Sequence, residues 1–127
     1  MKKSTCLVLL CVAAAGASAL LAQTARAPDA LTANPEHIKL KLENERVRVL
    51  EARLEPGQKE NAHSHPGYVV YAVSGGTIRV HGADGKTTDL ALATGDVMYR
   101  EPVVEHWGEN VGTTATELIL VELKDAH

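Results

Sequence analysis

The segment Gly57-Gln-Lys-Glu-Asn-Ala-His-Ser-His-Pro-Gly-Tyr-Val-Val-Tyr-Ala-Val-Ser-Gly-Gly76 decides how this chain is read, and His63 and His65 stand at its centre. In an extended chain, residues two apart point to the same face. Both imidazoles therefore project side by side into one space, which is how a sheet presents two metal ligands. Forty-one residues beyond His65, a third histidine lies in Pro102-Val-Val-Glu-His-Trp-Gly-Glu-Asn110, again after a Gly-Asp turn and a short apolar run. Three neutral imidazoles converging inside a barrel would make a site for a divalent first-row metal ion.

The flanking sequence has the period of strands. Ile38, Leu40 and Leu42 share one parity, with Lys39 and Lys41 on the other. Val47 and Val49 differ in parity from Leu50, Ala52 and Leu54, which predicts a bulge or a crossing between sheets near Leu50. Residues 68–73 and 77–81, joined by Ser74-Gly75-Gly76, carry the signature of a hairpin. Further short strands are expected at 87–92, at 97–99, around His106 and Trp107, and at 116–123, each bounded by Gly, Asp or Pro turns. No stretch after residue 35 keeps a helical period. Eight or nine strands at this spacing indicate an all-β fold, an antiparallel sandwich or barrel, with function placed in its interior or on one rim.

Residues 1–22 read as a secretory signal peptide: a basic start at Lys2-Lys3, an apolar run from Cys6 to Ala15, and then small residues. The apolar run is shorter than the roughly 20 residues of a spanning helix, so an exported, periplasmic or secreted protein without a stable membrane anchor is expected. Residues 23–36 lack periodicity and read as a flexible mature N-terminus or an arm lying on something else, and 37–124 form one domain. Cys6 and Cys11, the two cysteines of the chain, both fall in the signal, which excludes disulfides and thiolate chemistry from the mature protein. Removal of Lys2 and Lys3 moves the formal charge from −3 to −5, and a mildly acidic chain without a basic run argues against nucleic acid as a partner.

Taken together, these residues resemble the two motifs of the cupin superfamily. Gly57, five residues, His63-x-His65 and then Gly75 resemble the first motif; Gly95-Asp96, Pro102, His106, three residues and Asn110 resemble the second. The likeness spans about residues 37–124 and is nearest to small single-domain cupins named for β-alanine degradation. It implies a jelly-roll barrel of two antiparallel sheets and one divalent metal ion (Fe, Mn, Ni or Zn) held by His63, His65 and His106. It also implies a glutamate ligand seven residues before the closing glycine, and that place is taken by Tyr68. Three-histidine sites without the carboxylate are known in thiol dioxygenase-like and diketone-cleaving members. Asn110 in such motifs shapes a turn.

Tyr68 and Tyr99 are the candidate catalytic residues: Tyr68 is read as a core aromatic whose hydroxyl reaches the cavity, as a hydrogen-bond partner of a metal-bound water, or as a phenolate ligand, and Tyr99 as an acid/base group near the cavity or a barrel-wall tyrosine. Glu60, Glu101 and Glu105 are the carboxylates near the motifs that could replace the missing ligand, although Glu105 alternates with His106 and should point away from it. His37, His81 and His127 are read as solvent-facing. Ser64 faces away from its flanking histidines, so no serine triad is assembled. The leading expectation is an exported mononuclear metal-binding cupin, a candidate Fe(II)-type dioxygenase or isomerase acting on a small molecule. A non-catalytic metal or ligand binder and a structural cupin with a vacant site are the alternatives. A homodimer is expected, because the strand from Ile38 to Leu42 would otherwise leave an exposed edge.

Overall fold

Nine strands and one short helix make up the protein in a computed structural model that describes residues 25–125. They are α1 (Ala30–Ala33), β1 (Ile38–Glu43), β2 (Val47–Leu54), β3 (His63–His65), β4 (Tyr68–Ser74), β5 (Gly76–Gly82), β6 (Thr87–Leu92), β7 (Val97–Arg100), β8 (Val103–Asn110) and β9 (Thr116–Leu123). A five-stranded sheet, β1-β2-β9-β4-β7, faces a four-stranded sheet, β3-β8-β5-β6, and every ladder is antiparallel. This is the expected jelly-roll barrel. The signal-peptide expectation lies outside the described residues, and among those described no helix is long and apolar enough to cross a membrane.

The core is a sandwich filling built from alternate residues of each strand. Ile38, Leu50, Ala52, Tyr68, Val70 and Leu120 pack at the end of the barrel nearer the histidines; Leu54, Ala72, Ile78 and Leu92 pack at the other. At about 25 cal/mol per Å² of apolar surface removed from water, each buried Leu or Ile contributes about 1.5–3 kcal/mol, so the barrel has its own source of stability before any ion binds.

Two expectations are corrected here. Residues 68–73 and 77–81 do not form a hairpin, because β4 pairs with β7 and β9 while β5 pairs with β6 and β8. The chain crosses from one sheet to the other at Gly75, where a Cβ would collide with the backbone carbonyl of Leu92; only glycine fits so close an approach. Nor does β2 itself carry the expected bulge: it pairs with β9 in unbroken register from Val47 to Leu54, and the irregularity lies on β1 between Leu40 and Leu42, directly opposite Leu50 and Val49. Both parities of β2 are apolar because Leu50, Ala52 and Leu54 are buried inside while Val47 and Val49 lie half-buried on the outer face of the same sheet.

The segment read as a flexible N-terminus or an arm is an ordered arm from residue 25. Asp29 caps α1 by accepting from the Leu31 and Thr32 amides, and Ala30 and Asn34 are buried. The arm runs beside β3: the Ser64 amide donates to the Pro28 carbonyl at 2.8 Å and the Ser64 hydroxyl donates to the Ala27 carbonyl at 2.8 Å. Ser64 therefore does face away from the histidines, into this arm. A four-residue helix is too short to show a period in sequence, which is why the segment carries no helical signal.

Candidate metal centre

His63 and His65 sit on β3 and His106 on the neighbouring β8, where His63 and His106 are direct cross-strand partners. The alternation of β3 turns both of its histidines into the barrel, and the ladder brings the third beside them. One ring nitrogen from each of the three lies within 4.8 Å of the others. His63 and His65 are buried to 1% and 2%. The Nε2 of His106 is buried without any hydrogen-bond partner, an arrangement that costs roughly 1–3 kcal/mol unless something else satisfies the atom.

Burial keeps His63 and His106 neutral. It lowers the His63 pKa, against the opposing pull of Glu60, and pushes His106 down to about 3, with the neighbouring His63 and His65 adding to the shift. Neutral imidazoles are the form that binds metal. In the metal-free protein, unfolded His63 and His106 take up protons near their ordinary value of 6.5, whereas the folded rings resist protonation. Their folded pKa values are depressed, so the associated stability is complete above about pH 6.5 and drains away as the pH falls. The melting temperature of chelator-treated protein should therefore drop between about pH 6.5 and 5, above the carboxylate range, and less steeply in His106→Gln. Equal slopes for the two proteins would contradict the neutral assignment.

Each ring is held in place from behind. The Nδ1 of His65 is 2.6 Å from Glu122 Oε1; a carboxylate only accepts, so Nδ1 carries a proton and Nε2 is the nitrogen left for the cavity. Glu122 also accepts from Arg48 Nε at 2.6 Å, and Arg48 in turn donates to Asp29 on the arm at 3.0 Å. Burial alone would raise the Glu122 pKa, but the hydrogen bonds from His65 and Arg48 outweigh it and hold the carboxyl below its ordinary range. His63 Nδ1 lies 2.7 Å from the Asn61 carbonyl, which fixes its proton there, and the buried Asn34 amide packs against the same nitrogen at 3.1 Å. Neither the Glu122 chain nor the Asn34 contact was expected from sequence.

Among the acids considered for the missing ligand, Glu60 alone reaches the cavity. Its Oε2 is 3.9 Å from His63 Nε2 and accepts from the Gly108 amide at 2.9 Å. A Cβ on Gly108 would stand 2.8 Å from that oxygen, so the glycine makes room for the carboxylate. Glu101 is exposed and Glu105 points away from His106, as its parity predicts. Asn110 shapes a turn as expected, donating to the Leu54 and Thr114 carbonyls and accepting from the Gly112 amide.

Tyr68 lines the cavity and stacks on His65, with ring centroids 4.4 Å apart. Burial raises its pKa despite the nearby Arg100 charge, so its hydroxyl is a neutral donor at physiological pH. Tyr68→Phe should accordingly leave metal affinity nearly unchanged in a competition titration; a clear loss would make the phenolate a ligand. Tyr99 is not part of the site. It pairs with Val69 on the outer parity of β7, is 53% exposed, and its hydroxyl stands over Gly67. His81 is also corrected: it is half-buried, stacked on Trp107 at 3.5 Å and 3.3 Å from Glu109. His127 lies outside the described residues.

The orphaned His106 nitrogen, the neutral His63 and His106 rings and the Nδ1 protons held by Asn61 and Glu122 all fit a divalent metal ion, with His63, His65 and His106 as its holders. No curated protein matches the chain. Among solved structures, a cupin domain from Bordetella pertussis Tohama I is 28% identical with a TM-score of 0.64, covering 79% of this chain and 98% of that one. An uncharacterized conserved protein with a double-stranded β-helix domain from Klebsiella pneumoniae is 23% identical (TM-score 0.55; 69% and 83% covered). An RmlC-like cupin family protein from Methanocaldococcus jannaschii is 15% identical (TM-score 0.57; 68% and 77% covered). At such identities the last two share the fold alone. The Cupin domain family model matches residues 50–122, which contain all three histidines and strands of both sheets, and the chain therefore belongs to the cupin family.

Proposed function

We propose that this protein is an exported mononuclear cupin that holds one divalent first-row metal ion on His63, His65 and His106 and transforms a small anionic or diketone-like molecule there, by Fe(II)-type dioxygenase chemistry or isomerisation. The observation that carries the reading is the buried, unpartnered His106 Nε2 beside the imidazoles of His63 and His65. When bound, such an ion supplies Lewis acidity and a template that orients the substrate. The residues of the chain do the rest. Glu122 and Asn61 hold His65 and His63 through Nδ1 and leave Nε2 for the ion; Val70, Val80, Leu90 and Met98 line the apolar part of the cavity and limit the entry of water. The Tyr68 hydroxyl stands at the cavity wall as a group able to hold or pass a proton. Export rests on the character of residues 1–22.

The test is the metal content of protein purified from its native compartment without chelator or affinity tag, followed by oxygen uptake against a set of small acids and diketones. About one ion per chain with substrate-dependent oxygen uptake or isomerisation is expected. Metal without turnover would make the protein a binder, and no metal would make it a structural cupin.

A homodimer belongs to the same proposal. β1 is one of the two edges of the five-stranded sheet, and Leu40 and Leu42 on it are 46% and 49% exposed. Tyr71, Val97 and Tyr99 are likewise exposed on the outer face of that sheet, and apolar surface of this kind is what pairing between copies would cover. Sedimentation at micromolar concentration should give twice the chain mass; a single chain's mass would contradict pairing.

A further inference from the structure

Arg100 puts a guanidinium on the wall of the cavity that holds the three histidines. It ends β7 directly opposite Tyr68 on β4, and it shares the inward parity of Met98, whereas Val97 and Tyr99 face solvent. It lines the same cavity as Tyr68 and His106. Arg48, Arg53 and Arg79 are each matched by carboxylates: Asp29 and Glu122, Glu55 and Glu117, and Asp89. Among the described residues no carboxylate lies within ion-pair distance of Arg100, and Glu60, the acid on the same cavity wall, is engaged by the Gly108 amide and lies near His63.

A cation that faces a largely apolar cavity without a counter-charge is costly to desolvate, and the planar fork of arginine is shaped to take a carboxylate through two parallel hydrogen bonds. We propose that Arg100, with the Tyr68 hydroxyl beside it, makes this cavity a binding site for a small carboxylate, whose other end reaches the space between His63, His65 and His106. This rests on the metal-site reading above and chooses between the two substrate classes named there, in favour of the anion. The charges point the same way. Glu60 and Arg100 offset each other on the cavity wall, so a divalent ion leaves the site positive and an anionic ligand lowers that charge. The cavity has a volume of about 70 Å³, which suits a small acid.

The test is calorimetric titration of metal-loaded native protein and Arg100→Gln with pyruvate, and with acetylacetone as the diketone probe, metal content being measured on both proteins. Saturable pyruvate binding to the native protein is expected, weakened roughly tenfold or more in Arg100→Gln with metal content retained. Acetylacetone should respond little to the substitution. Arg100→Lys, which keeps the charge but not the fork, should fall between the two. Should Arg100→Gln fail to fold, the Arg100 side-chain Nε–H resonance of ¹⁵N-labelled native protein should shift on pyruvate addition. The inference is overturned if pyruvate binds Arg100→Gln as tightly as native protein, if the resonance stays still at saturation, or if native protein takes acetylacetone but not pyruvate. If native protein carries no metal, the metal reading fails by itself, and the dependence of pyruvate binding on Arg100 in that same protein still decides this one.

Discussion

His65→Ala is expected to lower the affinity for divalent metal roughly tenfold or more, the loss that even an outer partner of a metal ligand produces, while the melting temperature of the metal-free protein falls only modestly. Two observations separate the effects. The histidine is one of three nitrogens converging within 4.8 Å, so its removal leaves two ligands and an open flank. Its partner Glu122 keeps the Arg48 guanidinium at 2.6 Å, so no buried charge is orphaned, and the space created joins a cavity that already exists. The barrel itself is held by Leu50, Val70, Ala72, Ile78 and Leu120, none of which the substitution touches. Binding free energy adds to folding only to the extent that metal is present. Metal content by mass spectrometry and melting in chelator therefore give two independent readouts, and full occupancy of the variant would remove His65 from the ligand set.

The residues that were easiest to read were those tied to period and turn. All nine strands were anticipated within a few residues, because alternation shows whichever sheet a strand joins, and the His-x-His spacing is itself a period-two signal. What escaped depends on which strand lies beside which. Glu122 ends the inward parity of Thr116, Leu118 and Leu120, so its direction was legible, but its partners Arg48 and His65 are 74 and 57 residues away. Tyr99 was misplaced because Met98 and Tyr99 are both apolar and either could face inward on so short a strand; the cross-strand match of Arg100 with Tyr68 settles the parity. Gly75-Gly76 looked like a hairpin turn since glycine marks a tight turn and a sheet crossing alike. The arm hid for a different reason: its contacts run through the backbone at Ala27 and Pro28, which no side-chain pattern records.

Glu122→Ala should be the most damaging single change away from the core. The carboxylate is 2% exposed and bonds two donors at 2.6 Å each, Arg48 Nε and His65 Nδ1. Truncation leaves a guanidinium only 18% exposed without its nearest counter-charge and a buried imidazole N–H without an acceptor. Removing one partner of a buried pair typically costs about 3–5 kcal/mol, against a total of about 5–15 kcal/mol for a small domain. At roughly 4–8 °C per kcal/mol for a domain of this size, the melting temperature should fall by about 12 °C or more. Asp29 would remain as the partner of Arg48 at 3.0 Å, but it sits on the arm and is itself 40% exposed, so it cannot replace a buried carboxylate. Glu122→Gln keeps the shape and a hydrogen-bond acceptor while losing the charge, and should land between native and Ala. The decisive comparison is Arg48→Met with Glu122→Leu. Replacing a buried ion pair by apolar residues of similar volume is often close to neutral, so the double variant should be more stable than either single one. A drop of less than about 2 °C for Glu122→Ala would mean that the chain from Asp29 through Arg48 and Glu122 to His65 is not holding the barrel and the ligand together.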